Sequence, residues 1–151
     1  MGYTIRIGEA TFSKDTEHAY IGISAKEERH DAAPAFGEPT DFTNERWPSY
    51  TVWAEFLRAV GLYELFTEKD RGLMRSHPGV ALLTKNHQAK IHDALEEYRK
   101  KGTTPGFSET MLGEKIAGAE NADPMLARLI WLDYWVTWAV NNCENPVLTN
   151  S

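Results

Sequence analysis

The chain has 151 residues, 42% of them hydrophobic and 25% charged, and a net charge of −6 at neutral pH. That length suits one domain, 1–151, which can hold a core without metal or disulfide staples, and the lone Cys143 excludes an intrachain disulfide and a cysteine-based zinc cluster. The acidic balance excludes binding through the phosphates of a long nucleic acid, and no apolar run approaches the roughly 20 residues of a membrane span. The opening MGYTIRIGEATF has no basic segment followed by an apolar core and a cleavage site, so it is not read as a secretory signal, and a cytoplasmic protein is expected.

Tyr3, Ile5 and Ile7 alternate with Thr4 and Arg6, the period-two pattern of a strand with one buried face. Residues 19–25 form a second candidate strand, and the polar segment 9–18 between them reads as the connection of an antiparallel hairpin. A hairpin alone is marginal in water, so helices or further strands must cover its apolar face. Residues 26–46 show no apolar period and are punctuated by Pro34, Gly37 and Pro39, which predicts a long loop of the kind that forms binding loops and lids.

A helix then starts at Pro48 or Ser49, with Trp53, Phe56, Leu57 and Val60 on one face, and ends or bends at Gly61. Leu62, Leu65 and Phe66 predict one more helical turn. Residues 73–83 read as a connection with a turn at His77, Pro78 and Gly79. A second long helix runs from a Thr84 cap to about Lys101, burying Ile91, Ala94, Leu95 and Tyr98, and Gly102 stops it. Ser108 caps a short helix in which Met111, Leu112, Lys115 and Ile116 line up. Asp123 fits an N-cap and Pro124 the first helical position of a last helix that is apolar nearly all round to Val140, the mark of a buried helix. The polar tail from Cys143 ends that helix. The expected fold is therefore α+β: an N-terminal antiparallel β-hairpin or small sheet packed on a mostly helical C-terminal part with a buried final helix.

Chemistry-bearing residues fall into three groups. Trp47, Tyr50 and Trp53 sit at the start of the first helix and Trp131, Tyr134, Trp135 and Trp138 along the last; planar rings can stack a base, although core packing is the expectation for Trp135 and Trp138. Asp133 lies among Leu129, Ile130, Val136 and Thr137, where a carboxylate needs a partner: a structural ion pair to Arg58 or Arg6, solvent, or the hydroxyl or amine of a ligand. Of the basic groups near turns, Arg46, Arg75 and His77 suit a phosphate or a moving proton, while most of the others read as surface charge. Asn150 is a further candidate for a ribose. His87 and His92, five apart, lie on different sides of one helix, so no metal site and no cofactor is expected. Serine-nucleophile, phosphate-loop and dinucleotide motifs are missing, and nothing beside Cys143 would depress its pKa.

Pro48-Ser49-Tyr50 with Trp53, the phrase Arg58-Ala59-Val60-Gly61-Leu62, His77-Pro78-Gly79, and Leu129-Ile130-Trp131-Leu132-Asp133-Tyr134-Trp135 ending in Asn150-Ser151 together resemble a family of small uncharacterised bacterial and phage proteins. The resemblance covers most of the chain from Ser49 onward and carries no activity onto individual residues. A phage setting implies antagonism of host defence, in which a small viral protein sequesters a nucleotide-derived immune signal.

Three functional readings follow, in this order. The first is a small-molecule binding protein, a sponge for a nucleotide-like ligand held by Arg46, Trp47, Tyr50, Trp53, Arg75, His77, Asp133 and Asn150. The second is an interaction or inhibitor module that engages a host protein. The third is a hydrolase or lyase on a similar ligand with His77 as general acid or base, which the lack of catalytic motifs disfavours. Homo-oligomerisation is left open by the pattern.

Overall fold

The computed structural model describes residues 2–15, 20–35, 39–67, 79–101 and 123–150. Its elements are β1 (Ile5–Asp15), β2 (Tyr20–Ala25), β3 (Glu45–Arg46), α1 (Tyr50–Ala59), α2 (Tyr63–Thr67), β4 (Gly79–Leu82), α3 (Lys85–Lys101), α4 (Pro124–Asn142) and β5 (Pro146–Asn150). The fold is α+β, as the patterning predicts, with a wholly antiparallel sheet in the order β2-β1-β5-β4 and β3 beside β1.

Ile5 and Ile7 are fully buried, as their alternation requires, but β1 continues through residues read as a connection. Two sets of partners sustain it. From Ile5 to Glu9 it pairs with β5, in register from Ile5↔Asn150 to Glu9↔Pro146, and from Ala10 to Asp15 it pairs with β2. On its other edge β3 meets Ile5 and Arg6, and Asn44 fills the gap between β3 and β2. β3 falls inside the segment read as a loop, and two more strands also escape the sequence reading. β4 occupies the end of the segment taken as a turn, and β5 lies within the tail taken as polar, where Val147, Leu148, Thr149 and Asn150 are all buried between β1 and β4.

The helices begin where side chains satisfy their open N–H groups. Ser49 accepts from the Val52 N–H at the start of α1, and Asp123 accepts from the Leu126 N–H with Pro124 next to it at the start of α4. At α3 the Thr84 hydroxyl lies 2.9 Å from His87 Nδ1, which also accepts the Thr84 N–H at 3.1 Å, a capping box with imidazole in the usual Glu place. α4 is the centre of the core: Leu129, Leu132, Trp135, Val136 and Ala139 are fully buried, and α3 and β1 pack on it. One apolar cluster joins Ile5 and Ile7 of β1, Trp53 and Phe56 of α1, Ile91 of α3, Leu132 of α4 and Leu148 of β5. No helix among the described residues is long and apolar enough to cross a membrane. The short helix read from Ser108 lies outside the described residues.

Candidate functional site

The segment read as a free loop is tied at its stem and docked on α4. The His30 N–H donates to the Phe42 carbonyl at 2.9 Å, the Asn44 N–H donates to the Glu28 carbonyl at 3.2 Å, and Arg29 bridges Thr43. The Trp131 indole N–H then donates to the Thr43 carbonyl at 3.1 Å. His30 adds a second anchor: its Nδ1 shares a 3.0 Å hydrogen bond with the Tyr134 hydroxyl, its Nε2 lies 3.5 Å from Glu28, and its ring packs 4.6 Å from Trp135 and 4.8 Å from Trp138. The aromatic run of α4 therefore anchors a wall. That wall ends in Ala32, Pro34 and Ala35, which face α3 and α4 across a cleft of about 500 Å³.

α3 contributes His92, Glu96 and Arg99, spaced i, i+4, i+7 on one helical stripe, above a floor of Leu95 and Ile130. α4 contributes Asp133 and Tyr134. Asp133 meets neither Arg58, whose guanidinium sits 4.2 Å over the Tyr63 ring, nor Arg6, which pairs with Glu45 and Glu27. Its neighbour is His92, whose Nδ1 lies 3.4 Å from Oδ1, while the same imidazole's Nε2 lies 4.0 Å from Glu96. The contact is an ion pair when the imidazole is protonated, but it lacks hydrogen-bond geometry: Oδ1 is buried and accepts no hydrogen bond among the described residues. An ionised oxygen in that state is costly, and the cost falls when a donor reaches it.

Two other recesses show no buried polar side-chain atom without a hydrogen bond among the described residues. A cleft of about 590 Å³ between α3 and residues 59–65 carries Lys90, Asp93 and Glu97, and its Tyr98 hydroxyl is already committed to both oxygens of Asp123. A recess of about 300 Å³ lies beside Trp47, whose indole N–H donates to Glu45 at 3.0 Å. Cys143 is half-buried, and burial together with Glu9 and Glu28 pushes its thiol up to about 11, which leaves it protonated and unreactive at neutral pH. Among the described residues no cluster of three or more His, Cys, Asp or Glu side chains is placed to hold a metal ion.

Of the candidate ligand residues within the described part of the chain, Asp133 lies at the α3–α4 cleft, beside Tyr134, one of the rings that the sequence marks as able to stack. Arg46 sits on β3 with its guanidinium 5.9 Å over the Trp131 ring, Trp47 is 59% exposed at the small recess, and Tyr50 packs on the Tyr3 ring at 4.4 Å. Trp53 is fully buried against Phe56, so it has no open face for a base, and Asn150 is 1% exposed within β5, so its amide belongs to the interior. Arg75 and His77 lie outside the described residues. The cleft's polar residues on α3, His92, Glu96 and Arg99, carry no ligand role in the sequence reading; their i, i+4, i+7 spacing is the available signal. His87 and His92 do diverge, His87 into the buried α3 cap and His92 to the cleft.

Comparison of the chain with protein-family models, with curated proteins and with solved structures gave no match.

Proposed function

We propose that this chain is a small-molecule binding protein whose ligand occupies the cleft between α3, α4 and residues 32–35. One observation carries the reading: Asp133 presents a buried carboxylate oxygen that accepts no hydrogen bond among the described residues, beside a cleft of about 500 Å³. The lining suits a ligand with two chemically different ends. Asp133 and Glu96 attract hydrogen-bond donors, Arg99 attracts an anionic group, and Tyr134 with Leu95 and Ile130 offers apolar surface to a flat ring. Nucleotide-derived molecules combine those features, and in the phage setting that the resemblance implies, the activity is sequestration of such a signal.

A thermal-shift screen of the purified protein against nucleotides, cyclic dinucleotides, ADP-ribose species and common metabolites tests this reading. Ligand at about a hundred times its Kd stabilises by about 2.7 kcal/mol, a rise on the order of 5–10 °C at this chain length. The Ala32→Trp variant, which fills the cleft mouth from an exposed position, is expected to lose the shift. No shift from any compound, or a shift that Ala32→Trp leaves intact, overturns the proposal.

A second reading has its own observation. Phe12 and Ile23, direct cross-strand partners on the β1–β2 ribbon, are 66% and 40% exposed, which favours an interaction module that covers them with another protein.

A further inference from the structure

His92 is a side chain of the protein that already sits where the Asp133 carboxylate calls for a donor, and its chemistry describes what the cleft is built to take. The imidazole is flat and nitrogenous, and its two nitrogens face two carboxylates: Nδ1 lies 3.4 Å from Asp133 and Nε2 lies 4.0 Å from Glu96. It fills the position poorly. The contact with Asp133 falls outside hydrogen-bond geometry, so Oδ1 remains without a donor among the described residues, and the ring is held from an exposed stretch of α3 with 58% of its side-chain surface open. A half-exposed pair of this kind is worth little and is readily exchanged. A head with two adjacent N–H donors in one plane would engage a carboxylate far better, because the two parallel hydrogen bonds match its two oxygens.

We infer that the cleft recognises a planar head bearing two neighbouring N–H donors, the edge of a guanine or a guanidinium group, which displaces His92 from Asp133 and directs the ligand's anionic end, where it has one, toward Arg99. This rests on the small-molecule reading above and narrows it to a ligand class. Glu96 adds a second acceptor on the same side, and the apolar Ile130 and the Tyr134 ring flank the flat head. An adenine edge offers a donor beside an acceptor, and that acceptor would meet the carboxylate as a like partner, so adenine is rejected. His92 thereby acts as an internal competitor: removing it strengthens binding, opposite to what the loss of an ordinary contact residue does.

Calorimetric titration with GMP, IMP, AMP and agmatine, on the wild type and on Asp133→Asn and His92→Ala, tests the inference. GMP carries the two-donor edge and a phosphate, IMP lacks the second donor, AMP reverses one of them, and agmatine carries a guanidinium without an anion. Tighter binding of GMP than of IMP or AMP, or of agmatine alone among the four, is the expected result and tells guanine from guanidinium ligands. Asp133→Asn is expected to weaken the preferred probe by about ten- to a hundredfold, and His92→Ala to tighten it by up to about fivefold. Equal binding of GMP and AMP, a loss in Asp133→Asn that is the same for every probe, or weaker binding in His92→Ala overturns the inference and leaves a cleft that binds some other small molecule. Failure of all four probes on wild type and His92→Ala overturns it as well, and the separate screen with Ala32→Trp then decides the broader reading.

Discussion

Asn44 shows how one side chain can complete a sheet. Its amide donates to the Ile7 and Lys26 carbonyls, both at 2.7 Å, and its Oδ1 accepts the Glu28 N–H at 3.0 Å, so a buried carboxamide closes three backbone groups where β2 and β3 leave a gap along β1. Gly8 makes room for it: a Cβ there would stand 3.1 Å from both Asn44 Nδ2 and the Lys26 carbonyl. Asn44→Asp keeps the shape and the acceptor but sets a carboxylate against two carbonyls that then lack donors. That substitution is expected to cost about 2–4 kcal/mol, from two lost donors and a buried charge, read as a lower urea midpoint at an unchanged slope. A midpoint within experimental error of the wild type would show that the amide does not hold the gap closed.

At the scale of elements, the turn that separates α1 from α2 needs left-handed backbone at Gly61 and is closed by the Leu62 N–H donating to the Leu57 carbonyl at 2.8 Å and the Gly61 N–H to the Arg58 carbonyl at 3.2 Å. Gly61 has φ +76°, and a Cβ built there meets nothing within 4 Å. Gly61→Ala therefore carries the cost of left-handed backbone without any clash, and about 1 kcal/mol is expected, with Gly61→Asn milder because asparagine tolerates that region. Equal thermal midpoints for glycine, asparagine and alanine would remove the left-handed turn from the account. Helices such as α1 and α4 were legible because their signals are local: Ser49 and Asp123 cap the next few residues, and the apolar stripe repeats within the segment. β4 and β5 were not. Gly79–Leu82 and Pro146–Asn150 are too short to show a period, and β5 becomes a strand through β1, a partner near the opposite end of the sequence. The site divides in the same way. Asp133 stood out as a charge on an apolar helix, whereas His92, Glu96 and Arg99 look like any solvated helical face until α4 sets Asp133 against them. Trp53 stands beside the loop in sequence, and its spacing to Phe56 and Leu57 is that of the buried face of α1.

Across the molecule, three phenol hydroxyls and the thiol are tied to the folded state in one direction. Burial raises Tyr3 ahead of β1, Tyr98 on α3 and Tyr134 on α4 above their ordinary value of 10.0, and raises Cys143 at the end of α4 from 9.0 to about 11. At Tyr98 the hydrogen bond to Asp123 and that carboxylate's charge add to the burial. Each folded-state value lies above the unfolded one, so below about pH 8 both states hold these protons and stability owes nothing to their titration. As the pH climbs through the ordinary cysteine and tyrosine values the unfolded chain releases protons that the folded chain keeps, and the equilibrium shifts toward unfolding. Urea midpoints are expected to stay level from about pH 7 to 8 and to fall steadily from about pH 9 to 11. Tyr98→Phe separates the packing from the charge: at neutral pH it is less stable by about 1 kcal/mol for the lost hydrogen bond, yet its midpoint declines less steeply above pH 10 because one of the shifted groups is gone. Parallel alkaline slopes for Tyr98→Phe and the wild type would mean that Tyr98 titrates alike in the folded and unfolded chain, and the link it forms between α3 and the α4 cap would then not hold its proton.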